Sequence, residues 1–215
     1  MPLVDFNFLM IGNLILIISL NELFNLYQKT NPFTNLFNCS FAISVCMLIF
    51  NYYFGLFYLL VPLSLYIFGN NSWRPYFVSV IGLLCPIIIF YFLEFNEIYL
   101  NFEKRKINSL HSIHELKYWT ITFFIICFFS AAELFVWINK KSSKSRRCFY
   151  IIILYLFIST SIFLFSGNNN FLLFSITPLS IIISNFFIFS KYRFITNLLL
   201  ITFLLNSMYH RFIII

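Results

Sequence analysis

One carboxylate stands out against an otherwise apolar setting. Glu133 lies in residues 130–140, SAAELFVWINK, five residues before Ile138. That is about 7.5 Å of helix. The carboxylate could therefore reach interfacial water, pair with Lys140 or Lys141, or serve a proton or ion pathway, since acids inside membrane segments are functional candidates by default. Ser130, Ala131 and Ala132 beside it are small and suit close helix packing, so Glu133 is expected to face the interior of a helix bundle. A second candidate pair is Trp73 and Arg74. An aromatic next to a cation anchors a segment at headgroup level, and the guanidinium suits a lipid phosphate. Pro75 is placed to start the following helix. His111 and His114 would share a helix face, but no Cys or Asp nearby completes a metal site, and His210 is far along the chain. The five cysteines include no CxxC pair and read as small apolar side chains. No catalytic residue, metal or cofactor is expected.

The elements that must position these residues follow from composition. Of 215 residues, 61% are hydrophobic and 10% charged, against about 25% charged in an ordinary soluble domain. So few charges cannot coat a soluble globule. In hydrocarbon only helices or closed barrels satisfy the backbone. A barrel would alternate polarity along strands of about ten residues, whereas the apolar runs here, such as 121–129 and 149–165, are continuous. The reading is therefore all-α: a polytopic transmembrane helical bundle forming a single integral membrane domain over 1–215, with about 8 membrane segments (6–8). They fall near 5–20, 36–50, 53–68, 77–94, 118–138, 148–166, 171–189 and 194–210. Residues 36–68 are too long for one span. Asn51, Tyr52, Tyr53 and Gly55 mark the break, which leaves segments 2 and 3 short or re-entrant. The abundance of Phe, Ile, Asn, Lys and Tyr is also what an AT-rich genome produces, so single aromatics and asparagines carry little weight.

Orientation rests on the loops. Residues 139–147, NKKSSKSRR, hold five basic residues and no acid, which makes them a cytoplasmic loop by the positive-inside rule. Alternating outward, Lys29, Arg74, Lys191 and Arg193 also fall inside, while Lys104, Arg105, Lys106, Lys117 and Arg211 fall outside. Both termini then lie on the outer side, as does the polar loop 96–117. The same rule accounts for the net charge of +7 without nucleic acid.

Three stretches together carry a resemblance: residues 13–60, residues 70–95 with Ser72-Trp73-Arg74-Pro75 and Gly82-Leu83-Leu84-Cys85-Pro86, and residues 166–187 with Pro178 in their middle. The chain resembles an uncharacterised family of multi-pass inner-membrane proteins of Bacteroidota, with an N/S-W-R-E loop, a G-x-x-x-P helix and a late segment bearing a central Pro. Pro75 departs from that pattern, since it stands where the family has Glu. Members begin further upstream, so this chain is expected to be N-terminally shortened or a fragment. The resemblance implies location in a bacterial inner membrane and brings no catalytic residue or cofactor. Some members carry a carotene-oxygenase label, but iron oxygenases gather several His or carboxylate ligands at one centre, and three scattered histidines make a poor set.

The expected function is non-enzymatic: transport or assembly of a cell-envelope component, or a membrane subunit of a complex, with the lipid bilayer and other membrane proteins as partners. The alternative is a membrane-embedded enzyme acting on a lipid or isoprenoid, with Glu133, Glu94, Arg105, His111 and His114 converging on one cavity. A groove lined by Ser175, Thr177 and Asn185 would instead favour transport.

Overall fold

The computed structural model describes residues 3–27, 31–70, 72–92, 117–166 and 171–214, with the side chains of 3–9, 117–120 and 210–214 excepted. Among these residues every regular element is helical. They are α1 (Leu3–Phe24), α2 (Phe33–Ile49), a 3-10 helix (Tyr52–Leu59), α3 (Leu60–Phe68), α4 (Trp73–Phe92), α5 (Lys117–Ile138), α6 (Ser143–Ser166), α7 (Leu172–Phe189) and α8 (Arg193–Ile214). Four of these helices, α4 to α7, are long and apolar enough to cross a membrane; the remaining apolar helical stretches are shorter. The described helices group into two compact units. One draws on Met1–Lys106 and Ser142–Pro178, the other on Ile107–Lys141 and Leu179–Ile215.

The first unit is built with its small residues inward. On α4, Pro75, Ser79, Gly82 and Pro86 are buried, while Phe77, Val80, Ile81, Leu84, Ile88 and Ile89 are exposed. A soluble helix shows the opposite arrangement. Small residues let two backbones approach closely, which is how helices associate where lipid is as apolar as leucine. At Gly82 the approach to α2 is so tight that an added Cβ would stand 2.9 Å from the Phe37 carbonyl oxygen and 3.0 Å from the Ser40 Cβ. Pro86 lacks an N–H and so removes the helical donor of the Gly82 carbonyl. One residue on, Ser44 Oγ on α2 donates to the Leu83 carbonyl at 2.7 Å, a hydrogen bond between helices beside the proline.

The break expected near Asn51 is present. Asn51 is extended, at φ −171 and ψ 147, and its side chain accepts the Tyr53 N–H at 3.0 Å, an Asx-type turn. The chain resumes as 3-10 rather than α-helix. This swings Phe54 and Phe57 into the core, where Phe54 meets Phe174 edge-on at 4.8 Å and Phe57 lies 5.0 Å from Tyr155. Gly69, at φ 78, closes α3. Its N–H bonds to the Tyr66 carbonyl and that of Asn70 to the Leu65 carbonyl, both at 3.0 Å, the paired bonds of a Schellman ending.

Three connections meet at one end of this unit. Arg147 donates from Nη1 to the Phe68 carbonyl at 2.7 Å and stands 5.7 Å over the Tyr27 ring. The Tyr27 hydroxyl is 2.9 Å from Ser143 Oγ. The chain near residues 27, 68 and 143–147 therefore shares one end of this unit. Two boundaries differ from the sequence reading. The helix of α6 begins at Ser143, so the basic stretch 139–147 is only half loop: unbranched Lys and Arg are good helix formers, and Arg146 N–H already bonds back to the Ser142 carbonyl. Likewise α4 begins at Trp73, which puts Trp73 and Arg74 on helix and Pro75 in the first turn, where no N–H is needed.

The second unit packs α5, α8 and the later part of α7. On α5, Ile126, Ser130, Leu134 and Ile138 form a buried stripe at four-residue spacing, while Phe124, Phe128 and Phe135 are exposed by 67% or more. Helix α5 meets α8 through Phe123 and Phe203 and through Asn206 Nδ2, which donates to Thr122 Oγ1 at 3.4 Å.

Candidate functional site

Glu133 lies on the cleft side of α5, half buried. Its partner is neither Lys140 nor Lys141. Oε1 accepts the backbone N–H of Lys191 at 3.2 Å, in the short link between α7 and α8. Ser190 Oγ in the same link accepts the Tyr192 N–H at 3.3 Å. Helix α8 starts two residues beyond Lys191. Unpaired N–H groups and the helix dipole make a helix start favourable for a carboxylate. The local sequence explains the link: Ser190 closes its own turn, and Thr196, buried at the first turn of α8, donates its hydroxyl to the Arg193 carbonyl at 2.9 Å.

Around this carboxylate the second unit forms an open cleft of about 720 Å³. Its walls are apolar and aromatic: Phe129 and Val136 from α5, Phe186 and Phe189 from α7, and Ile195 from α8. Ala132 contributes little bulk, which widens the cleft beside Glu133. Two lysines, Lys140 and Lys191, also line it, and both are exposed. The ammonium of a third, Lys141, is 4.3 Å from the centroids of both Trp137 and Phe189. Those two rings are themselves 5.2 Å apart. A cation over two aromatic faces gains from each ring quadrupole, so Lys141 is held at the aromatic edge. The cleft thus joins an apolar trough to a basic rim, with one carboxylate already engaged by a backbone donor.

Trp73 and Arg74 belong to the first unit, at the start of α4. Both are exposed, Trp73 by 71% with an edge contact to Phe77. The cleft is built from the second unit alone, and Trp73 and Arg74 are not among the residues that line it. The wider constellation is also not assembled here: Glu94, Arg105, His111 and His114 lie outside the described residues. Among the described residues no three His, Cys, Asp or Glu side chains gather in a way that could hold a metal ion. Ser175, Thr177 and Asn185 are buried. Ser175 donates to its own helix at the Leu172 carbonyl, and Thr177 donates to Asn13 Oδ1 on α1 at 3.0 Å.

Sequence reasoning missed three features. Lys141 as a stacked cation was foreshadowed by Trp137 four residues earlier, but Phe189 is visible only in three dimensions. Arg147 as a tie to the end of α3 had no signal beyond its charge. Glu22 accepts a hydrogen bond from the buried Asn35 amide at 2.5 Å; a lone acid near the end of an apolar helix was the available clue. No protein-family model, curated protein or solved structure matches this chain.

Proposed function

We propose that this chain is a multi-pass inner-membrane protein of a bacterial cell envelope, in keeping with its resemblance to the Bacteroidota family. In this reading the shorter helices join α4 to α7 as membrane segments, near eight in all, and the basic stretch 139–147 faces the cytoplasm. The protein acts without catalysis, in transport or assembly of an envelope component or as a membrane subunit of a complex. The observation that carries the reading is the inside-out pattern of α4, with large apolar side chains outward and Pro75, Ser79, Gly82 and Pro86 inward. Such surfaces are stable against lipid or against another membrane protein. A second reading, an enzyme acting on a lipid or isoprenoid, is favoured by one fact: Glu133 lines an open cleft.

Native mass spectrometry after gentle detergent extraction from the source membrane separates these readings. Stoichiometric protein partners support the complex subunit. A lone chain retaining unmodified lipid supports transport or assembly. Lipid products that disappear in Glu133→Gln would establish the enzyme and overturn the non-catalytic reading. Orientation is tested by fusing GFP or alkaline phosphatase after Ser142 and after Ser109. Fluorescence at the first and phosphatase activity at the second are expected; the reverse pattern overturns the orientation.

A further inference from the structure

We propose that the cleft between α5, α7 and α8 is a binding site for an anionic phospholipid, with the phosphate at the lysine rim and an acyl chain along the aromatic trough. This rests on the membrane reading above and gives the second unit a ligand of defined chemistry. Charge complementarity selects the occupant. Lys140 and Lys191 line the cleft with one carboxylate between them, and that carboxylate spends an oxygen on the Lys191 N–H. Lys141, standing over Trp137 and Phe189, adds a third ammonium beside the rim. A zwitterionic headgroup would bring its own cation to this basic rim, whereas an anionic headgroup brings negative charge alone. A free phosphate would leave the trough of Phe129, Val136, Phe186 and Ile195 unfilled. The cleft volume of about 720 Å³ falls in the range of about 300–1,000 Å³ typical of small-molecule sites. The rim also belongs to the end of α5 and the start of α8, where a bilayer-crossing helix meets the headgroups, and basic pockets between such helices on the cytoplasmic side hold acidic headgroups.

Trp137 lines the cleft and reports on its contents. The 215-residue chain carrying Trp73→Phe and Trp119→Phe is placed in nanodiscs of phosphatidylcholine with a minor fraction of brominated phosphatidylglycerol, or of brominated phosphatidylcholine. Bromine quenches indole emission at contact. The expected result is stronger quenching by the brominated phosphatidylglycerol, reduced about 5-fold in apparent affinity by Lys140→Gln or Lys191→Gln and retained in Lys140→Arg with Lys191→Arg. Both lysines are exposed, so these variants fold. Added inorganic phosphate is expected to leave the quenching unchanged; displacement by phosphate would reassign the rim to a free anion and overturn the lipid site. Equal quenching by the two lipids in inserted protein overturns the site and leaves the membrane reading standing. Failure of the wild-type chain to insert overturns both.

Discussion

The crossing of α2 with α4 and the cleft of α5, α7 and α8 use similar residues to opposite ends. At the crossing, glycine and serine face each other and the backbones close to near contact, with Gly82 against the Phe37 carbonyl. In the cleft, Ala132 and Ser190 also line the interior, yet the surrounding walls stay apart. The difference lies in what stands beside the small residues. Ser40 and Ser44 on α2 meet Gly82 and the Leu83 carbonyl directly, so no bulky group holds the helices apart. Beside Ala132 the rings of Phe129, Trp137 and Phe189 act as spacers. A small residue therefore closes an interface only when its neighbours are small too; among aromatics it opens a cavity.

A matched pair of leucine substitutions puts this contrast at risk most directly. Gly82→Leu drives a side chain into α2 backbone and should destabilise the first unit by about 3 kcal/mol, the upper end of overpacking costs, seen as a drop in thermal unfolding temperature in detergent. Next, Arg147→Ala removes a charged donor from the Phe68 carbonyl and should cost about 2 kcal/mol, with Lys at 147 restoring part of it; an unchanged midpoint would show that the basic end is not held by this tie. Glu133→Leu frees the Lys191 N–H and should cost about 1–2 kcal/mol. Faster amide exchange confined to residues 190–193 is the expected signature, and uniform exchange would argue against a local clamp. In the other direction, Ser40→Ala should stabilise by about 1 kcal/mol, because Ser40 Oγ is buried with no hydrogen-bond partner among the described residues. The smallest effect is expected for Ala132→Leu, the partner of Gly82→Leu: it projects into open cleft, and its stability change should stay within about 0.5 kcal/mol. Equal losses from the two leucine variants would remove the distinction between crossing and cleft.

Much of the helical fold was legible. Continuous apolar runs with few charges admit only helices in lipid, and Asn51 followed by two tyrosines marked the break before the 3-10 stretch. The 3-10 geometry was not legible, because apolar aromatic residues suit either helix and only the packing of Phe54 and Phe57 against Phe174 and Tyr155 selects it. Glu133 was found because a lone acid in an apolar run is conspicuous; its partner was not, since a backbone N–H fifty-eight positions away leaves no trace in residue type. The sequence placed Trp73 and Arg74 ahead of the helix that Pro75 starts; their place on the helix itself depended on Pro75 being tolerated in the first turn.

Residue types and run lengths were enough to set the helical backbone and to give helices long and apolar enough to cross a membrane, because transfer energies depend on composition and on the length of each apolar run, and both are local. Packing in three dimensions settled which small residues close an interface and which open a cleft, and that the carboxylate of Glu133 holds the link before α8. Those outcomes depend on distances of a few ångströms between residues far apart in the chain, which no local pattern encodes.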